Sequence, residues 1–364
     1  MIAFITATAS DGLHRLGGFW VNQLGGTFLA PGSTLALDGL LCTLLLAAFL
    51  AVPRGRRRMP RLAVWRRALF PRRLVASASG RADIGYFLFG LFIYGLVFGW
   101  LFTAGPIADL VATGLTRLLG PAPDLALPGV VTGAILTALF FLAYEFAYWL
   151  DHYLSHKLPI LWQFHRVHHS AESLSLLTNF RVHPVDTLVF AHIVVIVSGL
   201  AQGLAHYALG PGALGWEIGG TNVVVMAAAI GLTHLQHSHL WITFGPRWGR
   251  WLLSPAHHQI HHSAEARHFD RNFGSALAIW DRLFGTFHMP AAKREALRFG
   301  LDDAGPAPHG LRAALVTPFA GVLHIMSRVW SKPTPTPVIP AKAGIPLPSA
   351  SSRSEAAGFP LARE

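Results

Sequence analysis

Histidines recur in this chain at helical spacing. Residues 148–170 (YWLDHYLSHKLPILWQFHRVHHS) hold five histidines within 18 positions. Residues four apart share a helix face, which places His152 beside His156. The spacing i, i+3, i+4 predicts a second cluster, formed by His165, His168 and His169.

A second stretch, HLQHSHLWITFGPRWGRWLLSPAHHQIHH, repeats the pattern. The i, i+3, i+4 spacing returns at His258, His261 and His262, and the stretch begins with His234, His237 and His239. A lone histidine on an apolar helix is normally a satisfied core residue. Packed neutral imidazoles gain little and protonated ones repel, whereas imidazole nitrogen is the commonest metal ligand near neutral pH. The two repeats therefore predict binding of more than one transition metal ion.

The sequence narrows the choice of metal only partly. Cys42 is the single cysteine, which excludes a cysteine-based site. A structural zinc site needs four ligands, and this chain offers more. Soluble di-iron bundles use two Glu-x-x-His motifs, and this chain has only one such spacing, at Glu265–His268; the HExxH motif of zinc proteases is absent. A nitrogen-rich site suits Fe, Cu, Ni or Zn.

The composition indicates a membrane protein. Hydrophobic residues make up 52% and charged residues 13% of the chain, and the mean hydropathy is +0.43. Soluble domains have about twice this charged fraction. The net charge of +11 is read as membrane topology, since no nucleic-acid-binding motif accompanies it.

Hydropathy predicts five apolar segments, at residues 35–52, 84–104, 128–150, 185–204 and 216–232. An arginine-rich segment between Arg54 and Arg81 faces the cytoplasm by the positive-inside rule. Residues 105–127 are expected to be an outer connection, and the last two segments to form a hairpin or a re-entrant pair. This places every histidine cluster on the cytoplasmic side.

We therefore expect an all-α integral membrane protein with about four to five transmembrane or re-entrant helices and a cytoplasmic helical cap that carries the histidines. The predicted divisions are an N-terminal segment (1–32), a first helix with its basic loop (33–82), a membrane metal domain (83–290), a surface segment (291–331) and a disordered Pro/Ser/Ala-rich tail (332–364). The absence of a signal or transit peptide, with high Arg and Ala content, predicts a bacterial inner membrane.

The order of the motifs resembles the membrane fatty acid hydroxylase/sterol desaturase superfamily. The HxxxH motif, both HxxHH motifs, FRVHP (180–184) and LQHSH (235–239) occur in the order typical of that family. SPAHHQIHH (254–262) and DRNFGSALAIWDRLFGTF (270–287) are similar to its last two signatures. The resemblance covers about residues 80–290.

This resemblance implies an oxygenase with two non-haem iron ions. Such enzymes use O₂ and two electrons to hydroxylate an unactivated C–H bond of a lipid such as a fatty acid or sterol. No haem, flavin or cytochrome b5-like domain is visible in the sequence, so the expected partners are a lipid and an electron donor such as a ferredoxin or cytochrome b5-type protein. Nucleic acid is not an expected partner.

By the same resemblance, ten histidines are assigned as iron ligands: His152, His156, His165, His168, His169, His234, His237, His258, His261 and His262. Further candidates for a ligand or for a group that orients a ligand are His183, His239, His257, Asp151, Asp270, Asn272 and Asp281. No catalytic residue is assigned beyond the ligands.

Three other functions remain open at the level of sequence. A desaturase or sterol methyl oxidase would use the same iron site. A histidine-rich metal transporter would place ligands at mid-membrane and on both sides, which the predicted topology disfavours. A non-catalytic scaffold is disfavoured because all three histidine motifs are intact.

Overall fold

The computed structural model describes residues 17–18, 21–22, 24–30, 33, 35–51, 76–91, 103–122, 125, 127–301 and 309–330. The chain divides into two compact units, residues 1–325 and 326–364. All the candidate site residues lie in the first unit. Most of the arginine-rich loop, the second half of the apolar segment 84–104 and the C-terminal tail lie outside the described residues.

The described residues are mainly helical. The helices are α1 (Leu37–Ala51), α2 (Ala78–Phe89), α3 (Gly105–Leu119), α4 (Gly129–Lys157), α5 (Pro159–His169), α6 (Pro184–Leu209), α7 (Val223–Ala228), α8 (His234–Gln236), α9 (Gly245–Trp248), α10 (Pro255–His261), α11 (Ile279–Leu283) and α12 (Leu311–Trp330). Short 3₁₀ turns cover Leu176–Phe180 and Ala266–His268, a π turn covers Ala229–Thr233, and β1 (Glu217–Ile218) pairs antiparallel with β2 (Thr221–Asn222).

Helix α4 carries His152 and His156 on one continuous helix, as the sequence predicted. It has 29 residues, which is about 44 Å at 1.5 Å per residue. The helix ends at Leu158, whose extended backbone precedes Pro159. Proline disfavours helical backbone in the residue before it and suits the first helical turn. The break therefore allows α5 to fold back against α4.

Helix α6 packs against α3 and α4. A Cβ atom added at Gly203 would lie 2.5 Å from the Cβ atom of Val111, and one at Gly199 would lie 2.7 Å from that of Ile107. The lack of a side chain at these glycines allows the two helices to approach closely. Residues 105–119, expected to be only a connection, are helical because their apolar side chains pack on this small-residue face.

The fifth apolar segment is not one long helix. It begins with the β1–β2 hairpin, whose turn uses left-handed Gly219 and Gly220. The Trp216 backbone N–H donates to the Thr137 hydroxyl over 2.7 Å, which fixes the hairpin on α4. The apolar helical run that follows, Val223–Gln236, is short. Its 14 residues would span about 21 Å, less than the roughly 30 Å hydrocarbon core of a bilayer.

Within the part of the chain that the structure describes, α4 and α6 are the helices long and apolar enough to cross a membrane. The apolar part of α1, Leu37–Ala47, is too short to be counted with them. The predicted helical architecture is therefore confirmed, with two candidate spanning helices.

Candidate metal centre

The structure gathers nine histidines into two groups. The five-histidine group consists of His152, His156, His165, His169 and His261, and the four-histidine group of His168, His237, His258 and His262. Within each group the candidate ligand nitrogens all lie within 4.8 Å of one another. Rings of the two groups are in contact, since the His169 and His262 rings stack with centroids 4.5 Å apart.

The two HxxHH motifs divide their histidines between the groups in opposite ways. On α5, the i and i+4 residues His165 and His169 join the five-histidine group, and the i+3 residue His168 joins the other. In the second motif, at α10 and its C-cap, His258 and His262 join the four-histidine group, and His261 joins the five-histidine group. Each motif therefore contributes to both groups, which fixes the groups side by side.

Nitrogen–nitrogen distances in the four-histidine group suit metal coordination. The Nε2 atom of His237 lies 3.0 Å from that of His168, 2.9 Å from that of His258 and 3.1 Å from that of His262. Two nitrogens bound at right angles, each about 2.1 Å from one ion, are about 3.0 Å apart. In the five-histidine group, the Nε2 atom of His169 is 3.1 Å from those of both His156 and His261.

The hydrogen bonds of the opposite ring nitrogens determine the tautomers. Nδ1 of His152 donates to the Phe273 carbonyl over 2.8 Å, and Nδ1 of His261 donates to the Arg271 carbonyl over 2.8 Å. A carbonyl oxygen can only accept, so each neutral ring keeps a lone pair on Nε2. Lone pairs that face one another at these distances repel, and a bound cation removes that repulsion. The donor set therefore fits a metal ion in each group.

Burial keeps these imidazoles neutral. Desolvation, reinforced by repulsion from neighbouring histidines, holds the pKa values of His168, His169, His258 and His262 well below the usual range. The same desolvation lowers the pKa of His237 to about 3 and that of His261 to about 3. A neutral imidazole is the form that binds metal, so the site is prepared for cations.

These pKa shifts predict an acid-sensitive protein. The unfolded chain takes up protons on His237 and His261 below about 6.5, and the folded chain does so only near about 3. Their contribution to stability is therefore complete above pH 6.5 and is lost as the pH falls through this window. In thermal unfolding of the metal-free chain in detergent, the midpoint temperature should fall as the pH is lowered from 7 to 5. The His261→Asn variant should reduce this dependence of the midpoint on pH. The His192→Ala variant, at an exposed site on α6, should leave it unchanged.

The remaining histidine candidates lie around the two groups. His234 belongs to neither group but lines the same cavity as His237. His183 caps α6 by accepting from the Val185 N–H over 3.1 Å. Its other ring nitrogen donates to the Leu315 carbonyl over 3.2 Å. His257 lies beside the Ser254 hydroxyl at the start of α10, and His239 follows α8 outside both groups.

The candidate polar residues support the loop that holds His152. Asp281 accepts from the Phe273 and Gly274 N–H groups over 2.8 and 2.9 Å. Asn272 has left-handed backbone (φ 58°), and its amide donates to the His257 carbonyl over 3.1 Å. These contacts fix the Phe273 carbonyl, which in turn orients His152.

Two acidic candidates lie closer to the histidines. Asp270 forms an ion pair with Lys157, and its carboxylate is 3.8 Å from Nδ1 of His156. Asp151 is buried, and its Oδ1 atom has no hydrogen-bond partner among the described residues.

The sequence analysis missed two residues that orient ligands. Asp186 in the first turn of α6 accepts from Nδ1 of His165 over 3.0 Å. The backbone carbonyl of Arg181 accepts from Nδ1 of His168 over 3.3 Å. The only signal in the sequence was their position: Arg181 begins the RVHP element, and Asp186 lies two residues after it. Glu145 of α4 accepts hydrogen bonds from the Ala276 and Leu277 N–H groups, which fixes this part of the chain to α4.

Two cavities flank the histidines. The first, of about 320 Å³, is lined by residues of α4, α5, α6 and α7, with histidines of both groups on its wall. The second, of about 420 Å³, lies against His156, His169, His261 and His262 and extends to Trp162, Phe269 and Leu301. Two cavities thus adjoin the metal centre.

These features define a helical protein whose buried imidazoles form a candidate centre for two ions. Residues 137–286 match the model of the fatty acid hydroxylase family, and they include all nine grouped histidines. These residues are therefore similar to this family, and the resemblance predicted from the histidine motifs is confirmed.

The relatives that match include a lipid hydroxylase and a monooxygenase. The chain is 33% identical over 177 residues to ornithine lipid hydroxylase OlsE of Rhizobium tropici, which covers 48% of each chain. It is 26% identical over 246 residues to alkylglycerol monooxygenase of Danio rerio, which covers 59% of this chain and 48% of the relative. The chain spans about half the length of these relatives. No solved structure matches it with statistical significance.

Proposed function

We propose that this chain is an integral membrane oxygenase that holds two non-haem iron ions and uses O₂ and two electrons to hydroxylate a C–H bond of a lipid. One observation carries the proposal: two adjacent groups of imidazoles converge beside a cavity that is lined partly by apolar side chains. The names of its relatives support a lipid substrate.

The five-histidine group would hold one iron and the four-histidine group the other. When bound, the two irons would supply the O₂-activating chemistry that attacks an unactivated C–H bond. The protein's own part is positional. The carbonyls of Phe273, Arg271 and Arg181 and the carboxylate of Asp186 orient the imidazoles, and burial excludes bulk water from the centre.

The lengths of the helices support the membrane placement. Helix α4 is about 14 Å longer than a hydrocarbon core of about 30 Å, so its last turns, with His152 and His156, would project at one membrane edge. We infer four to five membrane segments, of which 223–236 is re-entrant. The arginine-rich loop supports a cytoplasmic centre in a bacterial inner membrane, within reach of a ferredoxin or cytochrome b5-type donor.

A desaturation outcome would use the same residues, because it depends on which hydrogen of the lipid lies nearest the centre. A transporter is disfavoured, since both groups lie together at one end of α4.

Elemental analysis of the detergent-purified full-length chain, expressed with iron supplied, tests this proposal. We expect about two irons per chain, and O₂- and reductant-dependent formation of a hydroxylated lipid in the host membrane extract. The double variant His168→Ala/His261→Ala removes one ligand from each group and should lower the iron content and abolish lipid oxidation. His192→Ala, at an exposed site on α6, should retain both.

One zinc or no metal in the native chain, unchanged in the double variant, would contradict the iron assignment. Two irons with no oxidised lipid in any extract would contradict the catalytic part alone.

A further inference from the structure

The side chains that line the cavity of about 320 Å³ are of two chemical kinds. Its apolar lining, here called the apolar wall, includes Val182, Phe190, Val225 and Ala228. Its polar lining, here called the polar wall, includes histidines of both groups and the carboxyl groups of Glu145, Asp151 and Asp186. The volume is at the lower end of the range for small-molecule sites, enough for a head group and a few carbons of a lipid.

The three carboxyl groups differ in their protein partners. Glu145 accepts from two backbone N–H groups, and Asp186 accepts from His165. Asp151 is only 7% exposed, and its buried Oδ1 atom has no hydrogen-bond partner. Buried polar atoms are nearly always paired, so an orphan acceptor on a residue that lines a cavity points to a missing ligand.

We propose that Asp151 binds a hydrogen-bond-donating group, a hydroxyl or an ammonium, on the polar head of the lipid substrate. Because Asp151 precedes His152 in α4 and the polar wall adjoins both histidine groups, the oxidised carbon lies near that head group. The acyl or alkyl chain then extends along the apolar wall. This inference rests on the proposed function and names the substrate class of that site.

Three single-chain probes separate the possibilities: 1-O-hexadecylglycerol offers hydroxyls, hexadecylamine offers an ammonium, and 1-O-hexadecyl-2,3-dimethoxypropane offers no donor. Binding to the metal-loaded full-length chain is measured by tryptophan fluorescence in detergent, without O₂ or reductant. We expect at least one donor probe to bind 10-fold or more tightly than the dimethoxy probe, because sites built to hydrogen-bond a hydroxyl or amine reject analogues that lack it.

Variants assign this preference to Asp151. Asp151→Leu removes the acceptor and should abolish the preference for donor probes. Asp151→Asn keeps an oxygen acceptor without charge, so it should weaken the ammonium probe more than the hydroxyl probe. Val225→Ala, on the apolar wall, should weaken all three probes equally and leave their ratio unchanged. Metal content of each variant is measured beside the binding.

Equal binding of all three probes by the native chain would overturn the inference, as would a preference that survives in Asp151→Leu with metal content intact. If Asp151→Leu fails to fold, the native comparison and Asp151→Asn still decide. Normal iron content and lipid oxidation without a donor preference would reject this inference and keep the proposed function. A donor preference in a chain that holds no iron would support the role of Asp151 and reject the proposed function.

Discussion

Replacing His237 by alanine is expected to reduce the metal content of the purified chain from about two ions to about one and to abolish lipid oxidation. His237 lies at the centre of the four-histidine group, because its Nε2 atom is within 3.1 Å of the Nε2 atoms of His168, His258 and His262. Losing it leaves three ligands. Loss of a group that merely orients a ligand typically costs 10–100-fold in affinity, so losing the ligand itself should cost more.

The five-histidine group provides a matched comparison. His156→Ala removes one of five ligands and leaves four, so metal content should fall less than in His237→Ala. Elemental analysis of both variants beside native protein and His192→Ala measures the difference. Two retained ions in His237→Ala, with native lipid oxidation, would show that His237 is not a ligand. A greater loss of metal in His156→Ala would reject the argument from ligand number.

The sequence predicted the helical class and nine histidines that the structure brings together, because helical spacing and hydropathy are local properties. His152 and His156 lie on one helix, so their shared face follows from their spacing. The extent of the fifth apolar segment was harder to predict from the sequence, because the β1–β2 hairpin at residues 217–222 depends on contacts with α4.

The division of each HxxHH motif between two groups was not predictable from spacing alone. His165, His168 and His169 were expected to form one cluster, but His168 faces a partner set contributed by α10 and by His237. The role of Asp186 was equally hard to predict, since its partner His165 lies 21 residues away in sequence. Such pairings arise from tertiary packing, which periodicity does not record.

A buried ion pair supports the four-histidine group from outside. Arg181 and Asp83 are both fully buried, with Nη1 of Arg181 3.0 Å from Oδ1 of Asp83. Nε of Arg181 donates to the Val167 carbonyl over 3.2 Å, which ties it to α5. The other carboxylate oxygen of Asp83 accepts from the Thr178 hydroxyl over 2.6 Å. This network joins α2 to the segment whose Arg181 carbonyl orients His168.

Asp83→Ala is therefore expected to lower the free energy of unfolding by about 3–5 kcal/mol, because it leaves the Arg181 charge buried without its partner. It should also weaken metal binding in the four-histidine group, since the Arg181 carbonyl is the acceptor for His168. Chemical denaturation in detergent measures the first effect and elemental analysis the second. Asp109→Ala, at an exposed site on α3, should change neither quantity.

The double variant Asp83→Leu/Arg181→Met separates a need for this charge pair from a need for a filled core. It removes both charges and keeps the backbone carbonyl at position 181, and replacing a buried pair by apolar residues is often neutral. We expect it to recover more than half of the stability lost in Asp83→Ala and to bind metal in both groups. If Asp83→Ala unfolds at the native midpoint, the ion pair does not stabilise the fold. If the double variant is stable but loses one ion, the Arg181 side chain, and not only its carbonyl, positions His168.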